Sequence, residues 1–197
     1  MQTGSLKEKY FKEIRGKLMK SLEKGNIFEV PKLEKIVINT SFGRMSPDQK
    51  TKEQIVTSLA TIAGQQPVFT KAKKAIAGFK IREGQIIGAK VTLRNEKMYN
   101  FFKKLVSIVF PRLRDFRGVS TQSFDKNGNY SVGFSELSIF PEIDYIKGQK
   151  TVGLEVTITT SASNKEDAKK LLEELGMAFT DSVSGEKKPV KEGVKGK

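Results

Sequence analysis

Two stretches decide the fold: Ile86-Ile-Gly-Ala-Lys-Val-Thr-Leu-Arg94 and Thr151-Val-Gly-Leu-Glu-Val-Thr-Ile-Thr-Thr160. In the first, Val91 and Leu93 fall on one side, with Lys90, Thr92 and Arg94 on the other. In the second, Val152, Leu154, Val156 and Ile158 oppose Gly153, Glu155, Thr157 and Thr159. A period of two places alternate side chains on opposite faces of a strand, so each of these strands has one dry and one wet face. Strands of a parallel sheet covered on both sides read instead as continuous apolar runs. The prediction is therefore an α+β protein, a two-layer sandwich of an antiparallel sheet with helices packed on one face.

The flanking segments supply the other elements. Residues 35–41 are β-rich and bounded by Pro31 and Gly43, while Pro67 to Thr70 and residues near 129–137 read as further strands. Leu6, Tyr10, Phe11, Ile14 and Leu18 recur at helical spacing, predicting a basic N-terminal helix that docks on its own domain. Ser46-Pro47-Asp48-Gln49 has the form of a capping box with Pro at the first helical position. Behind it Ile55, Leu59, Ile62 and Ala63 share a face, and Gly64 ends the helix. A helix from Asn95 buries Met98, Phe101, Phe102, Leu105 and Val109 and stops before Pro111. Residues 117–128 read as a loop. Asn164 caps a last helix carrying Ala168, Leu171, Leu172 and Leu175, closed by Gly176. Residues 1–180 form one predicted domain, and 181–197, without a periodic apolar face, a basic disordered tail.

Composition removes whole classes of chemistry. The 197 residues include no Cys and no His, which excludes disulfides, thiolate and imidazole metal sites, Cys nucleophiles and His general bases. The absence of Cys accords with a reducing compartment. There is no Walker phosphate loop and no GxGxxG fingerprint, and no cofactor is expected. Glu142 and Asp144 make the one carboxylate pair that an RNA-cleaving enzyme could use. No second acid cluster accompanies them, and a structural loop pair is the simpler reading. No apolar run approaches the roughly 18 residues of a membrane span, and the first twenty residues hold no apolar signal core. No membrane partner is expected.

The net charge of +14 is concentrated: residues 71–117 hold 13 basic residues against 3 acidic. A solubility charge would be spread along the chain, and this clustering marks a polyanion footprint, with nucleic acid the leading candidate. Within it Lys71, Lys73, Lys74, Lys80 and Arg82 share a segment with Gly78, Gly84, Ile76, Phe79 and Ile81 and one acid, Glu83. Cations meet phosphates there, glycines allow close approach, and a ring can meet a ribose or base. The alternative is a charged hairpin loop without a partner. Arg112, Arg114 and Arg117 form a second cluster suited to bidentate phosphate contact, unless one of them pairs with Asp115. The wet sheet face, with Asn39, Lys90, Thr92, Arg94, Thr157 and Thr159, is either an RNA platform or an ordinary solvated surface.

Six motifs narrow this further. The run Gly64-Gln-Gln-Pro-Val-Phe-Thr-Lys-Ala-Lys-Lys-Ala-Ile-Ala-Gly-Phe-Lys-Ile-Arg-Glu-Gly84 resembles the family of the bacterial large-subunit ribosomal protein five, the 5S-rRNA-binding protein. So, in the same order, do Gly88-Ala-Lys-Val-Thr-Leu-Arg94, Pro111-Arg-Leu-Arg-Asp-Phe-Arg-Gly118, Ser123-Phe-Asp-Lys-Asn-Gly-Asn-Tyr-Ser131, Phe140-Pro-Glu-Ile-Asp-Tyr145 and Leu154-Glu-Val-Thr-Ile-Thr-Thr160. The resemblance runs from about residue 6 to 180 and implies a non-catalytic protein of the central protuberance. It implies 5S rRNA contacts at Asn39, Gln65 and Thr92, with Lys90 and Arg94 on the same face. It also implies a loop at about 71–84 facing P-site tRNA, a bridge to a protein of the small-subunit head, and neighbouring large-subunit rRNA and proteins as partners. Its place would be the ribosome in the cytoplasm. The family ends soon after the position of Phe179, so the tail lies outside the resemblance.

Overall fold

The computed structural model describes residues 5–42, 49–114, 116–143 and 152–180. Helix α1 runs as α-helix over Leu6–Lys9, as a π stretch over Tyr10–Ile14 and as α-helix again over Arg15–Ser21. It is followed by β1 (Leu33–Ser41), α2 (Gln49–Ala63), β2 (Val68–Lys71) and β3 (Ile86–Leu93). Helix α3 (Asn95–Lys104) continues through a π stretch, Leu105–Val109, into a 3-10 turn, Phe110–Arg112. Then come β4 (Val119–Ser120), β5 (Tyr130–Phe134), β6 (Leu154–Thr160), α4 (Lys165–Glu174) and β7 (Phe179–Thr180).

The main sheet has the order β2-β3-β1-β6-β5, and every neighbouring pair is antiparallel. The α+β architecture is therefore the expected one. Register follows from the alternation: Ile36, Ile38, Val91, Leu93, Val156 and Ile158 are buried on one face, because a slip of one residue would turn them all to water. The helices cover that face with Tyr10, Ile14 and Leu18 of α1, Leu59 and Ile62 of α2, Phe101 and Phe102 of α3, and Leu171 and Leu172 of α4, all in one core cluster. Each such large apolar side chain contributes about 1.5–3 kcal/mol when fully buried.

Local signals act as their chemistry requires. The Asn164 side chain accepts the Asp167 amide at 2.8 Å and so starts α4. Gly64 has φ +61 and its amide bonds Ala60 O, ending α2 in the left-handed conformation that a Cβ disfavours.

Three expectations need correction. The helix from Asn95 does not stop before Pro111, which sits inside the closing 3-10 turn. The first residues of a new turn need no amide acceptor, so the missing N–H costs nothing there. Residues 117–128 are not all loop, because Val119 and Ser120 pair in parallel with Phe179 and Thr180. Phe11 faces outward at 52% exposure rather than inward with Tyr10 and Ile14. The proposed helix start at Ser46, Pro47 and Asp48 and the tail 181–197 lie outside the described residues.

Candidate nucleic-acid interface

The open face of the sheet is built by the outward positions of the same strands. Across β1 and β3, Asn39 pairs with Lys90 and Val37 with Thr92. Across β1 and β6, Asn39 pairs with Glu155, Val37 with Thr157 and Lys35 with Thr159. Val68 of the edge strand stands opposite Lys90. Gln65, just past the α2 stop, donates from Nε2 to the Thr92 carbonyl at 3.2 Å, which brings it to the edge of this face. The structure therefore assembles Asn39, Gln65, Lys90 and Thr92 into one patch. Arg94 is exposed two residues beyond Thr92, in the residue that precedes α3.

One cation and one hydroxyl were not singled out by sequence reasoning. Lys35 shares the parity of Val37 and Asn39 along β1, a signal that was available. The Ser131 hydroxyl meets that of Thr157 at 3.1 Å on the same face. The patch also carries an acid, Glu155, which is exposed beside Asn39. These are donors and acceptors on rigid strands, which can meet ribose hydroxyls, base edges and phosphates without a loop having to order.

The 71–84 segment is a long excursion between β2 and β3. Ala72 and Gly84–Gln85 close its base: the Ala72 amide donates to Gln85 O at 2.8 Å and Gly84 N to Ala72 O at 3.0 Å. Nearer the tip, Ile76 and Ile81 exchange backbone bonds of 2.9 and 3.2 Å. Between them a 3-10 turn, Ala77–Phe79, ends at Lys80 with φ 53. Gly84 has the positive φ expected of it, but at the tip the left-handed residue is Lys80 and not Gly78. Lys71, Lys73, Lys74, Lys80 and Arg82 are exposed and have no carboxylate within 4.0 Å among the described residues. Ile76 and Phe79 stand exposed among them.

In the second basic cluster Arg112 donates to the Ile139 carbonyl at 3.3 Å, while Arg114 and Arg117 are exposed. Phe116 stacks on Phe110 with centroids 5.3 Å apart, and the Thr180 hydroxyl donates to the Arg117 carbonyl. Asp115, the alternative partner for one of these arginines, lies outside the described residues.

Not every cation of the basic stretch is available to a partner. Lys97 Nζ donates to Gly64 O at 3.0 Å and Lys104 Nζ to Ile62 O at 2.7 Å, so α3 closes the carbonyl end of α2 with two ammonium groups. Lys104 also bonds Glu142 Oε1 at 2.7 Å. Glu142 thus has a structural partner, and Asp144 lies outside the described residues. Among the described residues no group of three acids could hold a metal, and no helix is long and apolar enough to cross a membrane.

With this geometry in place, comparison with known proteins decides the family. A model described as ribosomal protein L5 matches residues 26–82, and the model of the same family's C-terminus matches residues 86–179. The chain is 52% identical over 174 residues, 88% of its own length and 97% of the relative's, to the large ribosomal subunit protein uL5 of Macrococcus caseolyticus (strain JCSC5402). The chain belongs to the ribosomal protein L5 family. It is a structural constituent of the large ribosomal subunit and not an enzyme. Membership of the L5 family fixes its setting as the ribosome, which is cytoplasmic in bacteria, among rRNA and other ribosomal proteins.

Proposed function

We propose that residues 1–180 act as one RNA-binding unit whose open sheet face anchors 5S rRNA in the central protuberance, through Asn39, Gln65, Lys90, Thr92 and Arg94. The 71–84 loop presents Lys71, Lys73, Lys74, Lys80 and Arg82 to P-site tRNA. Arg112, Arg114 and Arg117 face neighbouring rRNA or the small-subunit head. The observation that carries this reading is the uncovered face itself: Asn39 beside Lys90, with Thr92 tied to Gln65, on strands whose other face is sealed by helices.

The test separates the two surfaces. Ala at Asn39, Gln65 or Thr92 should weaken binding of a 5S rRNA transcript by about 1–3 kcal/mol each, as bonded groups lose their partners. The triple variant Lys73→Ala, Lys74→Ala, Lys80→Ala should leave that affinity nearly unchanged. Ribosomes carrying it should still contain 5S rRNA yet release P-site tRNA faster, whichever tRNA is used, since phosphate and ribose contacts ignore sequence. Loss of 5S rRNA by the loop variant with retention by the face variants would reverse the assignment.

A further inference from the structure

At the end of the sheet where β1 begins and β3 gives way to α3, a second surface has the chemistry of a nucleotide site. Phe28 is 85% exposed and Phe11 52%, a costly display of aromatic surface. Both rings flank one guanidinium: the Arg15 Cζ lies 6.0 Å from the Phe11 centroid and 5.6 Å from that of Phe28. Arg15 is fixed there by bonds from Nη2 and Nε to the Ile27 carbonyl, at 2.9 and 3.3 Å. The main chain at Phe28 is held by its amide, which donates to the Asn26 side chain at 3.0 Å. Each ring therefore has the anchored Arg15 guanidinium on one side and is open to water elsewhere.

Phe11 also lines a groove of about 390 Å³ whose rim carries Lys7, Lys32 and Arg94 against a single acid, Glu34. Lys7, Lys32, Arg94 and Arg15 have no carboxylate within 4.0 Å among the described residues. Arg94 continues the β3 run of Lys90 and Thr92, so groove and open sheet face adjoin. Unpaired cations in a groove, with an exposed ring beyond Arg15 that offers a free face, fit a backbone of phosphates followed by an unstacked base. A protein partner suited to the rings would leave four unneutralised cations beside it, whereas an RNA strand satisfies both features at once.

We infer that the groove bounded by Lys7, Lys32 and Arg94 binds the phosphates of a single-stranded RNA segment, and that Phe28 stacks one of its bases. The inference extends the RNA reading of the sheet face to a second, adjoining surface.

The chain contains no Trp, so Phe28→Trp places one reporter on the strip without touching the core. Two probes are added separately to the full chain, a 5S rRNA transcript and a mixed-sequence single-stranded RNA of about eight nucleotides. Both should quench the tryptophan emission. Phe28→Ala should weaken the oligonucleotide roughly tenfold. The pair Lys7→Gln, Lys32→Gln should lower the salt slope of oligonucleotide binding by about 1.4, two phosphates at roughly 0.7 each. Emission unchanged by either RNA, with Phe28→Ala binding both as the wild type does, overturns the inference and leaves the strip to a protein neighbour. Failure of the wild type to bind 5S rRNA, with the oligonucleotide still quenching, would sink the sheet-face reading and uphold the strip.

Discussion

Replacing Lys104 by Met tests whether the basic stretch is divided between RNA and architecture. The ammonium makes two bonds of 2.7 Å, to the Ile62 carbonyl and to Glu142 Oε1. It also lies 5.5 Å from the Phe101 ring centroid and 5.8 Å from that of Phe140. A bond involving a charged group contributes about 1.5–3 kcal/mol, and a cation over a ring about 0.5–1 kcal/mol more. The Lys104 and Glu142 side chains are 19% and 30% exposed, so solvent screens the ion pair toward the low end of its range. Methionine keeps most of the stem but leaves the last turn of α2 without its ammonium cap. The expected loss is about 2–3 kcal/mol, which for a domain of this size lowers Tm by roughly 4–12 °C. Urea unfolding followed by circular dichroism measures it, and Glu142→Gln combined with Lys104→Met gives the pairwise part, about 0.5–1.5 kcal/mol. Affinity for 5S rRNA should not change at a temperature where both proteins are folded. A stability within about 0.5 kcal/mol of wild type, or a loss of RNA affinity without loss of stability, would refute the division.

Three other outcomes follow from the same structure. Affinity for 5S rRNA should fall with salt at a log–log slope of about −0.7 to −0.9 per neutralised phosphate, about −4 to −7 for roughly five to eight phosphates; a flat titration would exclude a phosphate-led interface. Glu155→Gln removes the exposed acid beside Asn39 and should tighten binding two- to threefold at low salt, since a like charge about 6–8 Å from a phosphate costs roughly 0.5–0.7 kcal/mol in water; an unchanged Kd would place the RNA away from β6. Tyr99 is pushed up from its ordinary 10.0 to about 12, by burial first and by its neighbour Tyr10 second, and burial also raises Tyr10 and Tyr130. A raised folded value means stability is intact below about pH 10 and is lost as pH climbs toward 12, so tyrosinate absorbance should rise together with the loss of helix, and ionisation of all tyrosines near pH 10 in a folded protein would contradict the burial.

The elements most readable in the sequence are those whose period is set by burial on one side. Val152, Leu154, Val156 and Ile158 announce β6 because water on the opposite face forces polar residues between them, and all four are buried. Asn164 and Gly64 are equally legible, since a cap and a left-handed stop are local chemistry. The β4–β7 pair is not, because two residues offer no period and their partners are about 60 positions apart. The π stretches at Tyr10–Ile14 and Leu105–Val109 have no propensity signature, and the outward turn of Phe11 goes with the first of them. Of the interface, Lys90 and Thr92 follow from alternation, whereas the approach of Gln65 to Thr92 spans 27 residues and entered only through the family resemblance.

The division of the cations has a physical origin. Lys97 and Lys104 belong to α3, which must cross the carbonyl end of α2 to cover the sheet, and ammonium groups satisfy carbonyls there that apolar residues would leave orphaned. Lys90 stands on the opposite face of the sheet, and Lys73, Lys74, Lys80 and Arg82 stand on an excursion that leaves the sheet at its edge strand, so none of them can serve the core. With no carboxylate partner their charge is uncompensated, which lowers solubility risk but contributes nothing to folding. Such cations can be exchanged at little cost in stability, whereas exchanging either lysine of α3 removes a bond to a carbonyl at the end of α2. Net charge alone therefore overstates the RNA footprint of the basic stretch. The footprint is set by which cations the packing of α3 on α2 leaves unused.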